Sequence, residues 1–521
     1  MNRRELFTSL LRSSAQRQSI DGSPLVTATG VEPYTSPLTL DEVYHLLRRL
    51  GFGATVQQAA GYVGKTADVV VEELLGTNTE LEPARPGAWV DATTENPDGA
   101  DLQTRGSIWS AWRSNMAAFS NWWLKSMAAD TKSVERIASF WNAHFISEFA
   151  FDSETMIPPQ SLYRQYLTFR KDRLADFKQL VLDVSVDNSM VFYLGSNLNK
   201  VGKPNENYAR ELMELFTTGI GWYTEGDVKE AARVLTGWKS SFFNDEPANN
   251  GYYSSYFVPT DHDAGQKTVL GTSIPARTAD NNTEYQVKME EVLKLVDIIH
   301  EARPEAVSRF IATKLYKFFV YASPVNTNTQ FVEDLAKVFR DNNFTIRPLL
   351  KAMFTSTHFF DPALRGAQIK TPIECVAGLM RQLGVTVNDG ATWTGKMDQT
   401  IYDAPNVAGW PGYRYWISTN TYPVRRQFAR TVISAMTDAQ VTAFIKQFPD
   451  YTDVHKFTKN VCAYLLPLSL SSERYKNYEN TLLSGAPDYD WPSIVNNQAT
   501  AAARVRNFLV AISKAPDFQL C

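Results

Sequence analysis

Apolar residues recur at helical spacing along most of this chain. Val43, Leu46, Leu47 and Leu50 stand at i, i+3, i+4 and i+7. Thr39 and Glu42 ahead of them suit a capping box, and Gly51 behind them suits a helix end. The same period predicts helices over 66–75, 160–171, 174–186, 205–217, 226–237, 284–301, 304–321, 328–339, 346–356, 371–383, 424–447, 452–465 and 498–514. Between Ile108 and Phe149 a Trp- and Ala-rich stretch predicts two more, the second from about Ser133 to Phe145. Residues 251–275 break the pattern: Tyr252, Tyr253, Tyr256, Phe257 and Val258, then Thr268 to Leu270 flanked by Gly265 and Gly271, suggest a short strand pair or extended excursion. Residues 1–38 read as a polar N-terminal arm. Pro83, Pro86, Gly87, Pro97 and Gly99 leave no regular element credible in 77–103, and 385–420 is loop-like. The expectation is a mainly α protein: one large multi-helical body over 39–521, with a small extended or β excursion and loop insertions near 77–103, 240–280 and 385–420.

Composition sharpens this in three places. Lys plus Arg number 52 against 56 Asp plus Glu, so no basic excess points to nucleic acid. No window reaches the ~18 apolar residues of a transmembrane segment. Arg3 and Arg4 hint at a twin-arginine address, but Arg12, Ser13, Ser14, Gln16 and Arg17 interrupt the apolar stretch that export needs. A cytoplasmic location is the default, with export through the Tat route or alongside a partner as the alternative. Residues 1–20 are not expected to direct translocation by themselves. Cys375, Cys462 and Cys521 lack CxxC spacing, which excludes a zinc knuckle and leaves their pairing open.

The densest chemistry lies in 203–238. Asn207, Arg210, Glu211 and Glu214 share one helix face, and Thr224 to Asp227 forms a second capping box. Asp227, Glu230 and Arg233 share a face of the following helix. The short link makes the two helices antiparallel neighbours, with Arg210–Glu230 and Glu211–Arg233 as the expected pairs. On a wet surface such a stripe is ordinary; turned inward it fixes geometry or builds a site. Glu211, Arg210, Glu230, Arg233, Asn207 and Glu214 are therefore the catalytic candidates. His144, in an aromatic run, and His262, beside Asp263 in a polar loop, could join Glu211 around a divalent metal. Asp263 or Asp261 would orient His262, and Lys267 would meet an anionic group. No HExxH, EF-hand, GxSxG, Walker A or dinucleotide fingerprint is present. In the Gly/Pro-rich loop 406–416, Asn406 and Trp410 mark either a stacking platform for a sugar or peptide or a buried plug.

The runs PNENYARELMELFTTGIG and YTEGDVKEAARVLTGW closely resemble the signature of the bacterial "domain of unknown function 1800" family. HLLRRLGFGAT (45–55), FWNAHF (140–145), HDAGQKTVLG (262–271), KTPIE (370–374) and NVAGWPGYRYW (406–416) agree in order, so the resemblance runs from about residue 40 to the C-terminus. It implies a largely helical bacterial protein with no established reaction. It also implies a gene neighbour, a sulfatase-like protein carrying Tat-type signals, and export of many members; this chain departs there in lacking an apolar signal core. Two function classes follow. One is a scaffold or binding protein working with the sulfatase-like partner. The other is a metal-assisted hydrolase-like enzyme with its pocket at the 205–233 helix pair. The first asks for no chemistry that the motifs fail to show.

Overall fold

The computed structural model describes residues 26–77, 83–149, 156–243, 254–277, 285–322 and 329–521. The twin-arginine start lies outside them. Among the described residues there are twenty-two α-helices and four strands of two or three residues, so the protein is mainly α. One hydrophobic core runs through the body, from Leu38 to Ile512.

Local signals set most helix bounds. Thr39 N donates to Glu42 Oε2 at 2.7 Å and opens Leu40–Leu50. Thr371, Pro372 and Glu374 build the capping box of Pro372–Leu383, which Gly384 ends in a left-handed conformation (φ 63°). The 28-residue helix Leu102–Ala129 starts on Asp101, whose side chain accepts from Gln103 N and Thr104 N. It buries Trp112, Phe119 and Trp123 against Pro159–Lys171 and Pro372–Leu383. Pro304–Phe319 pairs with Thr329–Asp341, and Ile346–Phe354 closes against the latter. Thr421–Ala435, Asp438–Lys446, Ser472–Leu483 and Trp491–Asn496 gather around Gln498–Ser513.

The helices Val56–Tyr62, Asn188–Tyr193, Ser472–Leu483 and Trp491–Asn496 lie outside the predicted set, and three of the predicted segments differ from expectation. The region 424–447 is two helices, because Met436 turns extended (ψ 131°) and Thr437 with Gln440 caps a new start; an uninterrupted apolar period hides such a break. The stretch 385–420 contains the helix Gly390–Lys396 and a 3-10 turn at Tyr413–Trp416. The stretch 77–103 holds a 3-10 turn, Ala88–Asp91, pinned by buried Val90, whose carbonyl accepts from Arg164 Nη1 at 2.8 Å.

The extended excursion is two antiparallel pairs. Strand β1 (Trp238–Lys239) pairs with β2 (Tyr256–Phe257), and β3 (Lys267–Val269) with β4 (Thr272–Ile274). The β3–β4 turn is Leu270-Gly271, both with positive φ (50° and 85°), as a two-residue hairpin requires. Asp227 steadies the strained leucine: its Oδ1 accepts from Leu270 N at 2.6 Å, while its Oδ2 accepts from Thr224 N at 2.8 Å. Replacing Asp227 by Ala removes a helix cap and a turn anchor together. The expected loss is about 1–2 kcal/mol of stability, measured by denaturant unfolding.

Candidate functional site

The signature folds as two joined helices. Asn207–Glu211 continues into a π-helical segment, Leu212–Thr217. There the Thr217 and Thr218 hydroxyls donate back to Leu212 O and Met213 O at 2.5 and 2.8 Å. Such widened turns recur at functional sites. Glu225–Val234 follows on the Thr224–Asp227 capping box.

The ion pairs are not those the spacing suggested. Arg210 grips Glu225 with both terminal nitrogens at 2.7 Å and reaches Glu206 at 3.3 Å. Glu225 is 72% exposed, so this pair lies in water rather than out of it. Arg233 does hold Glu230, through Nη1 at 2.9 Å to each carboxylate oxygen, and clasps Asp263 at 2.8 and 3.1 Å. The expected Arg210–Glu230 and Glu211–Arg233 pairs do not form. Asn207 is exposed, and its backbone N–H donates to Asn205 Oδ1 at 3.0 Å. Glu211 and Glu214 are half-buried on the first helix. Glu214 accepts from the Tyr223 hydroxyl at 2.8 Å. Burial, together with the neighbouring Glu214 charge, raises the pKa of Glu211.

Behind Arg233 lies a buried charge cluster. Lys267 Nζ donates to Glu291 Oε2 at 2.6 Å, and His262 Nε2 stands 3.3 Å from the same oxygen. The other ring nitrogen lies 2.9 Å from the Thr236 carbonyl, so Nδ1 carries a proton. Burial pushes Glu291 up, but His262 and the hydrogen bond and charge of Lys267 beside it hold its pKa below the usual value. Lys267 thus meets a carboxylate of its own chain. Asp263 serves Arg233 rather than orienting His262, and Asp261 pairs with Lys239 at 2.9 Å.

His144 is elsewhere. It is buried among Phe140, Trp141, Phe145 and Phe216, and Nε2 donates to Phe216 O at 3.0 Å. Burial, with a contribution from Lys314, drives its pKa to about 3. Among the described residues no hydrogen bond or ion pair joins His144, Glu211 and His262 to one another. Among the described residues no three His, Cys, Asp or Glu side chains stand where they could hold a metal ion. Loop 406–416 divides its aromatics: Trp416 is buried, Trp410 half-buried and Tyr415 exposed. Asn406 Oδ1 accepts from Ala408 N at 2.9 Å, and Gly409 approaches the Ala143 carbonyl so closely that a Cβ would sit 3.2 Å from it. Asn406 is thus a turn former at a contact with the His144 helix.

Sequence reasoning missed Glu291, Thr236 and Asn199. Thr236 Oγ1 accepts from Asp263 N at 2.8 Å, and Asn199 ties the Ala232 carbonyl to Asn205 N. Thr236 stands within the quoted signature and was legible as a polar residue beside Gly237. Glu291 is one of many helical glutamates, and nothing local separates it from them.

Two measurements follow. Lys267→Met leaves Glu291 buried without its strongest partner and is expected to cost about 3–5 kcal/mol in denaturant unfolding, whereas Arg210→Ala should change stability little. In acid, the buried His144, His300 and His358 have pKa values near 3, 4 and 4. Unfolded imidazoles bind protons below about pH 6.5, where the folded ones stay neutral, so stability falls from there down to the folded values. His144→Phe should flatten that slope by one proton.

A family profile described as "Protein of unknown function (DUF1800)" matches residues 45–520. No curated protein and no solved structure gives a significant match. The signature runs build the helix pair described above, and the match spans nearly all of the helical body. The chain belongs to the DUF1800 family.

Proposed function

We propose that this chain is a non-catalytic binding protein that docks a protein partner through the face formed by Glu211, Glu214 and the link between the signature helices. The observation that carries this reading is the link itself. Gly219 and Gly221, with φ of 82° and 92°, turn the chain so that Ile220 is 78% and Trp222 43% exposed. Arg303 Nε donates to Trp222 O at 2.7 Å and fixes the presentation. Beside it, Glu211 and Glu214 have no basic partner at ion-pair distance among the described residues. Exposed apolar side chains on the link that follows two carboxylates without a basic partner suit a protein surface with an apolar patch flanked by Lys or Arg. The partner we assign is the sulfatase-like neighbour that the family resemblance implies. Arg210, Glu230, Arg233 and Asn207 then serve as supports of the face. Metal-assisted hydrolysis at His144, Glu211 and His262 finds no comparable support, since those groups face different surroundings.

The test is co-expression of the two chains and size-exclusion of the complex. Ile220→Ser with Trp222→Ser should weaken binding about tenfold or more, with the circular dichroism spectrum retained. Absence of a complex, or unchanged affinity in the double variant, overturns the proposal. Stoichiometric metal in the purified protein would favour the hydrolase reading.

A further inference from the structure

The link between the signature helices rests on the helix Pro304–Phe319. Gly219 lies against Phe310, where a Cβ would sit 3.1 Å from Phe310 Cδ2. One turn further along that helix, Lys314 Nζ stands 5.3 Å from the centre of the Phe310 ring. Both side chains are half-buried.

Lys314 differs from the other cations near the link. Arg210 holds Glu225, Arg309 holds Glu333, and Arg303 holds the Trp222 carbonyl. Among the described residues Lys314 Nζ has no hydrogen-bond or ion-pair partner. Burial lowers its pKa, and the one charge that adds to the shift is a second cation, Lys317, which is exposed three residues on. No carboxylate opposes the two. A cation partly removed from water without a counter-charge costs the fold stability, which the Phe310 ring offsets only in part. Such local costs concentrate where a chain meets something outside itself.

We propose that Lys314 receives a carboxylate of the docked protein, an Asp or Glu side chain beside the apolar patch that covers Ile220 and Trp222. This rests on the docking of a protein partner at the link and adds to the chemistry of that partner. Its surface carries basic side chains for Glu211 and Glu214 and an acidic one for Lys314. The two signs fix the orientation of the docked protein, because turning it would bring like charges together.

The experiment measures the affinity of the two full chains by titration calorimetry at rising salt. Lys314→Met should weaken binding about tenfold or more and make its salt dependence shallower, whereas Lys314→Arg should keep most of the affinity. The thermal midpoint of free Lys314→Met should equal or exceed that of the unaltered chain, since an unpaired charge has gone. Amine acetylation read by mass spectrometry tests the unaltered protein: Lys314 should be labelled in the free chain and protected in the complex, with the exposed Lys476 labelled equally in both. If the complex forms but Lys314→Met binds as tightly as the unaltered chain, or Lys314 stays open to label, the Lys314 contact is overturned and the docking face stands. A midpoint that falls in Lys314→Met assigns the side chain to the fold and overturns it too. Absence of a complex, or binding indifferent to Ile220→Ser with Trp222→Ser, overturns the docking face and the Lys314 contact together.

Discussion

The fold depends on how it satisfies the ends of its helices. A body of this many short helices places many C-terminal turns in its interior, and each turn presents carbonyls with no intrahelical donor. Long cationic or amide side chains from distant sequence fill that need. Arg48 caps the end of Val454–Leu465, and Arg381 donates to Ala128 O at the end of Leu102–Ala129. Arg136 reaches Arg49 O, Arg506 reaches Met436 O, Gln368 reaches Lys317 O, and His144 reaches Phe216 O. A cation there also opposes the negative end of the helix dipole. This is why so many arginines are buried in a protein whose net charge is slightly negative.

That arrangement explains what could be read from the sequence. Helix position follows from a 3.6-residue period, and starts follow from caps within four residues; hence Thr39 and Thr224 were visible as starts. Helix partners follow from contacts hundreds of residues apart, which no period encodes. His144 looked like a ligand because an imidazole among aromatics has few local explanations. Its true partner is a carbonyl 72 residues away. The short helices Asn188–Tyr193 and Trp491–Asn496 escaped because six residues do not establish a period.

At the signature the face assignments were sound in part, and the pairing depended on register. Spacing put Arg210 and Arg233 beside acidic residues, yet it could not say which residue of the second helix stands opposite Arg210. The link brings the first residue of that helix, Glu225, to Arg210, and leaves Glu230 to its own neighbour Arg233 and to the hairpin amide of Thr268. The hairpin completes what the helices begin: Lys267 on β3 carries its charge inward to a glutamate on the helix Tyr285–Ala302. The signature is thus the near half of a network whose last member, Glu291, has no local mark.

The cap that Arg48 places on the helix Val454–Leu465 has a consequence for biosynthesis. Donor and acceptor are 415 to 418 residues apart. A ribosome adding about 5–20 residues per second needs on the order of tens of seconds to cover that interval. Throughout it, the emerging N-terminal helix carries a guanidinium whose final acceptors do not yet exist. The cap that Arg48 places on the helix Val454–Leu465 can therefore form only after the late helices have left the exit tunnel.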